Sequence, residues 1–191
     1  VEDCRILGTA AVYTTVETDI NEGLDHGLEI LEKETGPLDF EERYACSSAA
    51  GGLKMISIGL VPDLTAQASR EASLGAGAKV WKTYSFQLTK GDFKEIEEYH
   101  PDIILLTGGT DGGNTENILY NAQVLSALSY DCPIVIAGNR NAADQCQEIL
   151  KGRSTFVCEN VMPRLGELNV IPAQKQIREI FLKRIVQGKG L

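Results

Sequence analysis

PDIILLTGGTDGGN, Pro101 to Asn114, sets a continuous apolar run against a glycine-rich turn. Ile103-Ile104-Leu105-Leu106 does not alternate apolar with polar side chains, so a strand built from it must be covered on both faces. Strands covered that way belong to parallel sheets with helices on either side. Ile134-Val135-Ile136 repeats the pattern. In the turn after Leu106, Gly108, Gly109, Gly112 and Gly113 flank Asp111, and Asn114 follows as a residue suited to cap a helix.

Outward from this stretch, strand and helix patterns alternate. Strands are expected at Arg5 to Tyr13, Leu53 to Leu60, Lys79 to Phe86, Asp102 to Thr107, Pro133 to Ala137 and Thr155 to Cys158. Helices are expected near residues 19–34, 65–74, 92–99, 114–128, 142–150 and 172–188. In the first helix Ile20, Leu24, Leu28 and Leu31 share one face, Asp19 and Glu22 resemble a capping box, and Gly36-Pro37 ends the element. In the last, Pro172 suits the first turn, and Ile177, Ile180, Phe181 and Ile185 form an apolar stripe. The expected fold is α/β, with a doubly wound, mostly parallel sheet. Residues 1–40 read as an N-terminal strand and helix, 41–170 as the α/β domain with its Gly-rich loops, and 171–191 as a C-terminal amphipathic helix.

Open parallel sheets bind ligands at the carboxyl ends of their strands. Three polar turns would gather there: Thr107 to Asn114, Gly138-Asn139-Arg140 and Glu159-Asn160. Gly108, Gly109, Thr110, Gly112 and Gly113 could offer backbone N–H groups to an anion. Asp111 could hold a metal or a hydroxyl, Arg140 could pair a carboxylate or phosphate, and Asn114 and Asn139 complete the candidate ligand set. The same glycines also suit a turn that only needs positive φ. No Lys-Ser/Thr follows them, as a Walker A loop requires, and their spacing does not match the dinucleotide fingerprint. Upstream, Ser47-Ser48-Ala49-Ala50-Gly51-Gly52 adds two hydroxyls, Ser47 and Ser48, to the ligand candidates. A serine nucleophile needs a base, and neither His26 nor His100 has a partner legible in the sequence, so no residue is assigned a catalytic role. With two histidines and no C-x-x-C pair, no metal site is expected either. Trp81, mid-strand, is expected in the core.

The chain has 191 residues, 43% hydrophobic and 24% charged, with a formal net charge of −9. Such an acid excess argues against nucleic-acid binding. No run approaches the roughly 20 apolar residues of a membrane span, and the acidic start, Val1-Glu2-Asp3, is unlike a signal peptide. Five cysteines, an odd number, suit reduced thiols in the cytoplasm. From Lys175 to Lys189 five basic residues accompany one acidic one, a face that could dock an acidic partner.

Several strings together resemble one family. CSSAAGGLKMISIGLVPDLTAQAS (Cys46 to Ser69), PDIILLTGGTDGGN, IAGN (Ile136 to Asn139), ENVMPRLGELNV (Glu159 to Val170) and AVYTTVETDINEG (Ala11 to Gly23) are similar to the MutL-type accessory proteins of adenosylcobalamin-dependent glutamate (methylaspartate) mutase. That family is unrelated to the mismatch-repair ATPase of the same name. The resemblance implies an actin/Hsp70-like (ASKHA) architecture in the full-length protein and a chaperone-like, reactivating role toward the mutase, with ATP and Mg as cofactors. The family's Asp-x-Gly-Ser/Thr phosphate loop and its second, Asp-x-Gly-Gly-Ala/Thr-like loop do not occur in residues 1–191, so ATPase activity and cofactors are expected only in a longer protein. Gly108, Gly109, Asp111 and Gly112 match a family motif distinct from those loops. The partners implied are cobalamin-dependent mutase subunits, with a homo-oligomer also allowed. An autonomous small-ligand enzyme or sensor using the carboxyl-edge crevice is the alternative reading.

Overall fold

The computed structural model describes residues 6–13, 15, 20–37, 39 and 52–188. The chain forms two compact units, residues 1–47 with 182–191 and residues 48–181.

In the smaller unit, helix α1 spans Ile20–Thr35, as its periodicity predicts. The expected strand over Arg5 to Tyr13 is not formed: Ile6 to Tyr13 carries no strand pairing, and Arg5 lies outside the described residues. Instead the segment lies along α1, where small residues let it approach. A Cβ on Gly27 would touch Val12, and one on Gly23 would sit 2.8 Å from the Tyr13 carbonyl oxygen. The Gly23 N–H donates to Thr15 Oγ1 at 3.0 Å. A β-rich composition therefore yields an unpaired strap, because among the described residues no neighbouring strand takes up its ladder bonds.

The larger unit holds β1 (Leu53–Gly59), α2 (Pro62–Ser73), β2 (Ala78–Ser85), α3 (Lys90–Tyr99), β3 (Ile103–Leu106), α4 (Glu116–Ser126), β4 (Ile134–Ile136), α5 (Ala143–Ile149), β5 (Thr155–Val157) and α6 (Ile171–Gly188), the last belonging to this unit through Phe181. The strands form one sheet in the order β2-β1-β3-β4-β5, every pairing parallel. Side chains alternate across it. Ile56, Ile58, Ile104, Leu106, Ile134 and Ile136 pack with Ile96, Ile118, Leu125 and Cys146 from α3, α4 and α5. Met55, Ile103, Leu105 and Val135 pack with Ala68 and Ala72 of α2 and Ala173, Ile177 and Ile180 of α6. Both faces are covered, so the central strands must be apolar throughout, as Ile103–Leu106 and Ile134–Ile136 are.

Small residues bring α2 close to the sheet. Ser69 Oγ donates to Ser57 Oγ at 2.5 Å, satisfying two buried hydroxyls between helix and strand. On the edge strand β2 the register slips: Met55 pairs with Val80 and Ile56 with Lys82, leaving Trp81 as the extra residue of a bulge. Trp81 is accordingly not in the core. It is 42% exposed and stacks on Tyr99 with 3.5 Å between ring centroids. Cys132, Cys146 and Cys158 are free thiols. Burial pushes the thiols of Cys146 and Cys158 up to about 11. No helix among the described residues is long and apolar enough to cross a membrane.

Candidate functional site

β1 lies inside the sheet with β2 on one side and β3 on the other. The chain leaves β1 through α2 on one face and returns from β2 through α3 on the opposite face. The connections therefore diverge between the carboxyl ends of β1 and β3, which opens a crevice there. A cleft of about 270 Å³ occupies this place. One wall is Leu60, Val61, Leu64, Thr65 and Ala68 at the start of α2. The floor is Thr107, Gly108, Gly109 and Thr110, with Asn114 beyond, and the far wall is Asn160, Val161, Met162 and Leu165.

Crowding by side chains at Gly59 and by backbone at Gly109 dictates glycine at and beside the floor. Gly59 ends β1 where a Cβ would lie 2.3 Å from Thr65 Oγ1 and 2.7 Å from Thr107 Oγ1. Gly109 has φ +73, and a Cβ there would be 2.1 Å from the Asn114 carbonyl oxygen. The Thr107 hydroxyl donates to the Ile58 carbonyl at 3.0 Å, fixing the exit of β3 against β1.

The three polar turns do share one rim, and they are bonded to one another. Asp111 Oδ1 accepts from the Arg140 N–H at 3.1 Å and from Asn160 Nδ2 at 2.9 Å. Asn160 Nδ2 also donates to the Gly109 carbonyl, and its Oδ1 accepts from the Met162 N–H. Asn139, 1% exposed, accepts from the Gly112 and Asn141 N–H groups through Oδ1 and donates to the Gly113 and Asn114 carbonyls through Nδ2. These side chains close the loops upon themselves. Asn114 does not take the N-cap position of α4, which falls to Thr115 without a side-chain cap bond; one residue further out, Asn114 Oδ1 accepts from the Asn117 N–H at 3.2 Å.

Of the sequence candidates, Gly108, Gly109, Thr110 and Asn114 line the cleft. Asp111, Gly112, Gly113, Asn139 and Arg140 stand behind that floor in the hydrogen-bonded rim, so the cavity lies on the β1 side of the glycine loop and not between Asp111, Asn139 and Arg140. The Arg140 side chain is exposed. Ser47 and Ser48 lie outside the described residues. The apolar walls were not anticipated. Their one signal is Leu60-Val61 with Leu64, apolar residues continuing past the end of a strand where a polar turn is usual, and VMPRL at residues 161–165.

Comparison with known proteins places the chain. A family model described as MutL protein matches residues 1–191. Protein MutL of Clostridium tetanomorphum is 49% identical over 195 residues, an alignment that takes in 100% of this chain and 42% of that protein, so the chain spans less than half the length of this relative. Among solved structures, the signal receiver domain of the response regulator NarL from Mycobacterium tuberculosis aligns over 70% of this chain and 96% of its own, with a TM-score of 0.42 and 14% identity. Matched by the family model along its whole length, the chain belongs to the MutL protein family.

Proposed function

We propose that this chain is part of an accessory protein of an adenosylcobalamin-dependent glutamate mutase, or of a related amino-acid mutase, and that it engages the mutase's cobalamin-binding subunit. The observation that carries this reading is the family match over residues 1–191 together with 49% identity to a protein named MutL. In this reading the complete protein has the actin/Hsp70-like architecture, and ATP with Mg is bound by segments other than residues 1–191. ATP acts by shifting a conformational equilibrium, and this chain passes the shift to the mutase. That requires ATP to bind one state more tightly than the other. A rim bonded across three loops suits such transmission, since hydrogen bonds tie its parts to one another.

Calorimetry tests the reading directly. Titrated with the cobalamin-binding subunit, the chain gives a saturable heat; titrated with ATP and Mg, it gives none, and ATP turnover is negligible. Absence of subunit binding, or Mg-dependent turnover that persists through purification, refutes it. A second reading, a small-ligand role for the carboxyl-edge crevice, is favoured by the apolar cleft between β1 and β3.

A further inference from the structure

Several polar groups around the cleft are donors with no acceptor among the described residues, whereas Thr107, Asn114 and Asn160 are already hydrogen-bonded. Val61 stands at the N-cap of helix α2, where its side chain cannot cap, and the N–H groups of Asp63 and Leu64 find no partner within the described residues. On the floor, the N–H groups of Gly108, Gly109 and Thr110 also have none, whereas their neighbour Asp111 donates to the Pro163 carbonyl. The third observation is independent of both backbones. Thr65 lines the cleft and is only 5% exposed, and its hydroxyl has no hydrogen-bond partner among the described residues. No fully buried side-chain oxygen or nitrogen among the described residues lacks a partner, so this unpaired hydroxyl keeps contact with solvent and is free to donate to an acceptor arriving in the cleft.

The remaining lining selects the rest of the ligand. Leu60, Val61, Leu64, Val161, Met162 and Leu165 make the walls apolar, and no lining residue is charged. In a chain of net charge −9 with no cation at the site, a phosphate dianion is repelled, while a single carboxylate can be held by neutral N–H and O–H donors at a helix start. At about 270 Å³ the cleft is smaller than most drug-sized pockets.

We propose that this cleft binds a small monocarboxylate with a short branched aliphatic tail. Its carboxylate accepts from the Gly109 and Thr110 N–H groups and from the Thr65 hydroxyl, and its tail lies against Leu64, Val161 and Met162. This deepens the small-ligand reading of the crevice and does not depend on the mutase reading, whose own test is binding of the cobalamin-binding subunit.

The test is an amide-detected NMR titration of the chain with 3-methylbutanoate, with its neutral amide 3-methylbutanamide, and with inorganic phosphate. The acid shifts the Gly109 and Thr110 signals saturably, and the amide binds about tenfold more weakly or worse, as loss of a charge-assisted hydrogen bond requires. Phosphate leaves both signals in place. Thr65→Val weakens the acid about tenfold while Thr65→Ser retains it, which separates the hydroxyl from the fold. No saturable shift, equal binding of the amide, stronger binding of phosphate, or equal affinity of the Val and Ser variants each overturns the proposal.

Discussion

Gly109→Ala and Gly112→Ala form a matched pair that separates backbone strain from crowding in the glycine turn. Both residues are left-handed, at φ +73 and +74. An L-side chain in that region costs about 1–2 kcal/mol, and both variants incur it. At Gly112 nothing lies within 4 Å of the added Cβ, so that is the whole effect. At Gly109 the Cβ would meet the Asn114 carbonyl oxygen at 2.1 Å and Asn139 Cβ at 3.3 Å, and neither can swing aside as a flexible side-chain tip could. The Asn114 carbonyl is also an acceptor for Asn139 Nδ2, so moving it breaks a partly buried bond. Overpacking of this kind costs about 1–3 kcal/mol more, giving about 2–5 kcal/mol in total for Gly109→Ala. Urea denaturation followed by the fluorescence of Trp81, the single tryptophan, reads both variants in the same unit. Equal destabilisation of the two, at an unchanged denaturant slope, would refute the crowding argument.

Asn139→Ala strips partners from two N–H groups and two carbonyls in the rim, and is expected to destabilise the larger unit by about 2–4 kcal/mol in the same urea assay. Glu97 is held below the usual carboxylate range by its hydrogen bond from the Ser129 hydroxyl and by the Ser129 N–H. A carboxylate lowered by folding stabilises above its unfolded value near 4.5, and the effect fades as pH falls through the folded value. Glu97→Gln should therefore flatten the acid limb of the stability profile and change its alkaline limb little. Cys146 and Cys158, with thiols raised to about 11, should alkylate with iodoacetamide far more slowly at pH 8 than the same cysteines in urea, as measured by mass spectrometry.

Much of the layer architecture was legible because burial on both faces leaves a plain signature, and Ile103–Leu106 and Ile134–Ile136 carry it. Helix positions followed from apolar spacing, with ends shifted by a few residues: α2 starts at Pro62, not near Thr65, because proline is favoured in the first turn. The strap Ile6 to Tyr13 was misread since strand composition does not reveal whether a partner strand is present. Trp81 was misread because a bulge displaces side chains by one position, and nothing local announces the slip in pairing with Met55 and Ile56. The rim was located by topology, yet the role of its side chains was hidden. Asp111 meets Asn160 across 49 positions and Arg140 across 29, so one chain's order could not tell a ligand-seeking carboxylate from one occupied by its neighbours.

The cross-bonding of Asp111, Asn139 and Asn160 carries a consequence for engineering and for natural variation. A graft of residues 107–114 into a relative would bring a carboxylate and carbonyls whose mates stay behind in the recipient, and it should fold poorly. Transplanted with residues 138–141 and 159–162, the same segment travels as a finished part. The unit of inheritance at this edge is the trio, and a loop exchanged alone is an incomplete one.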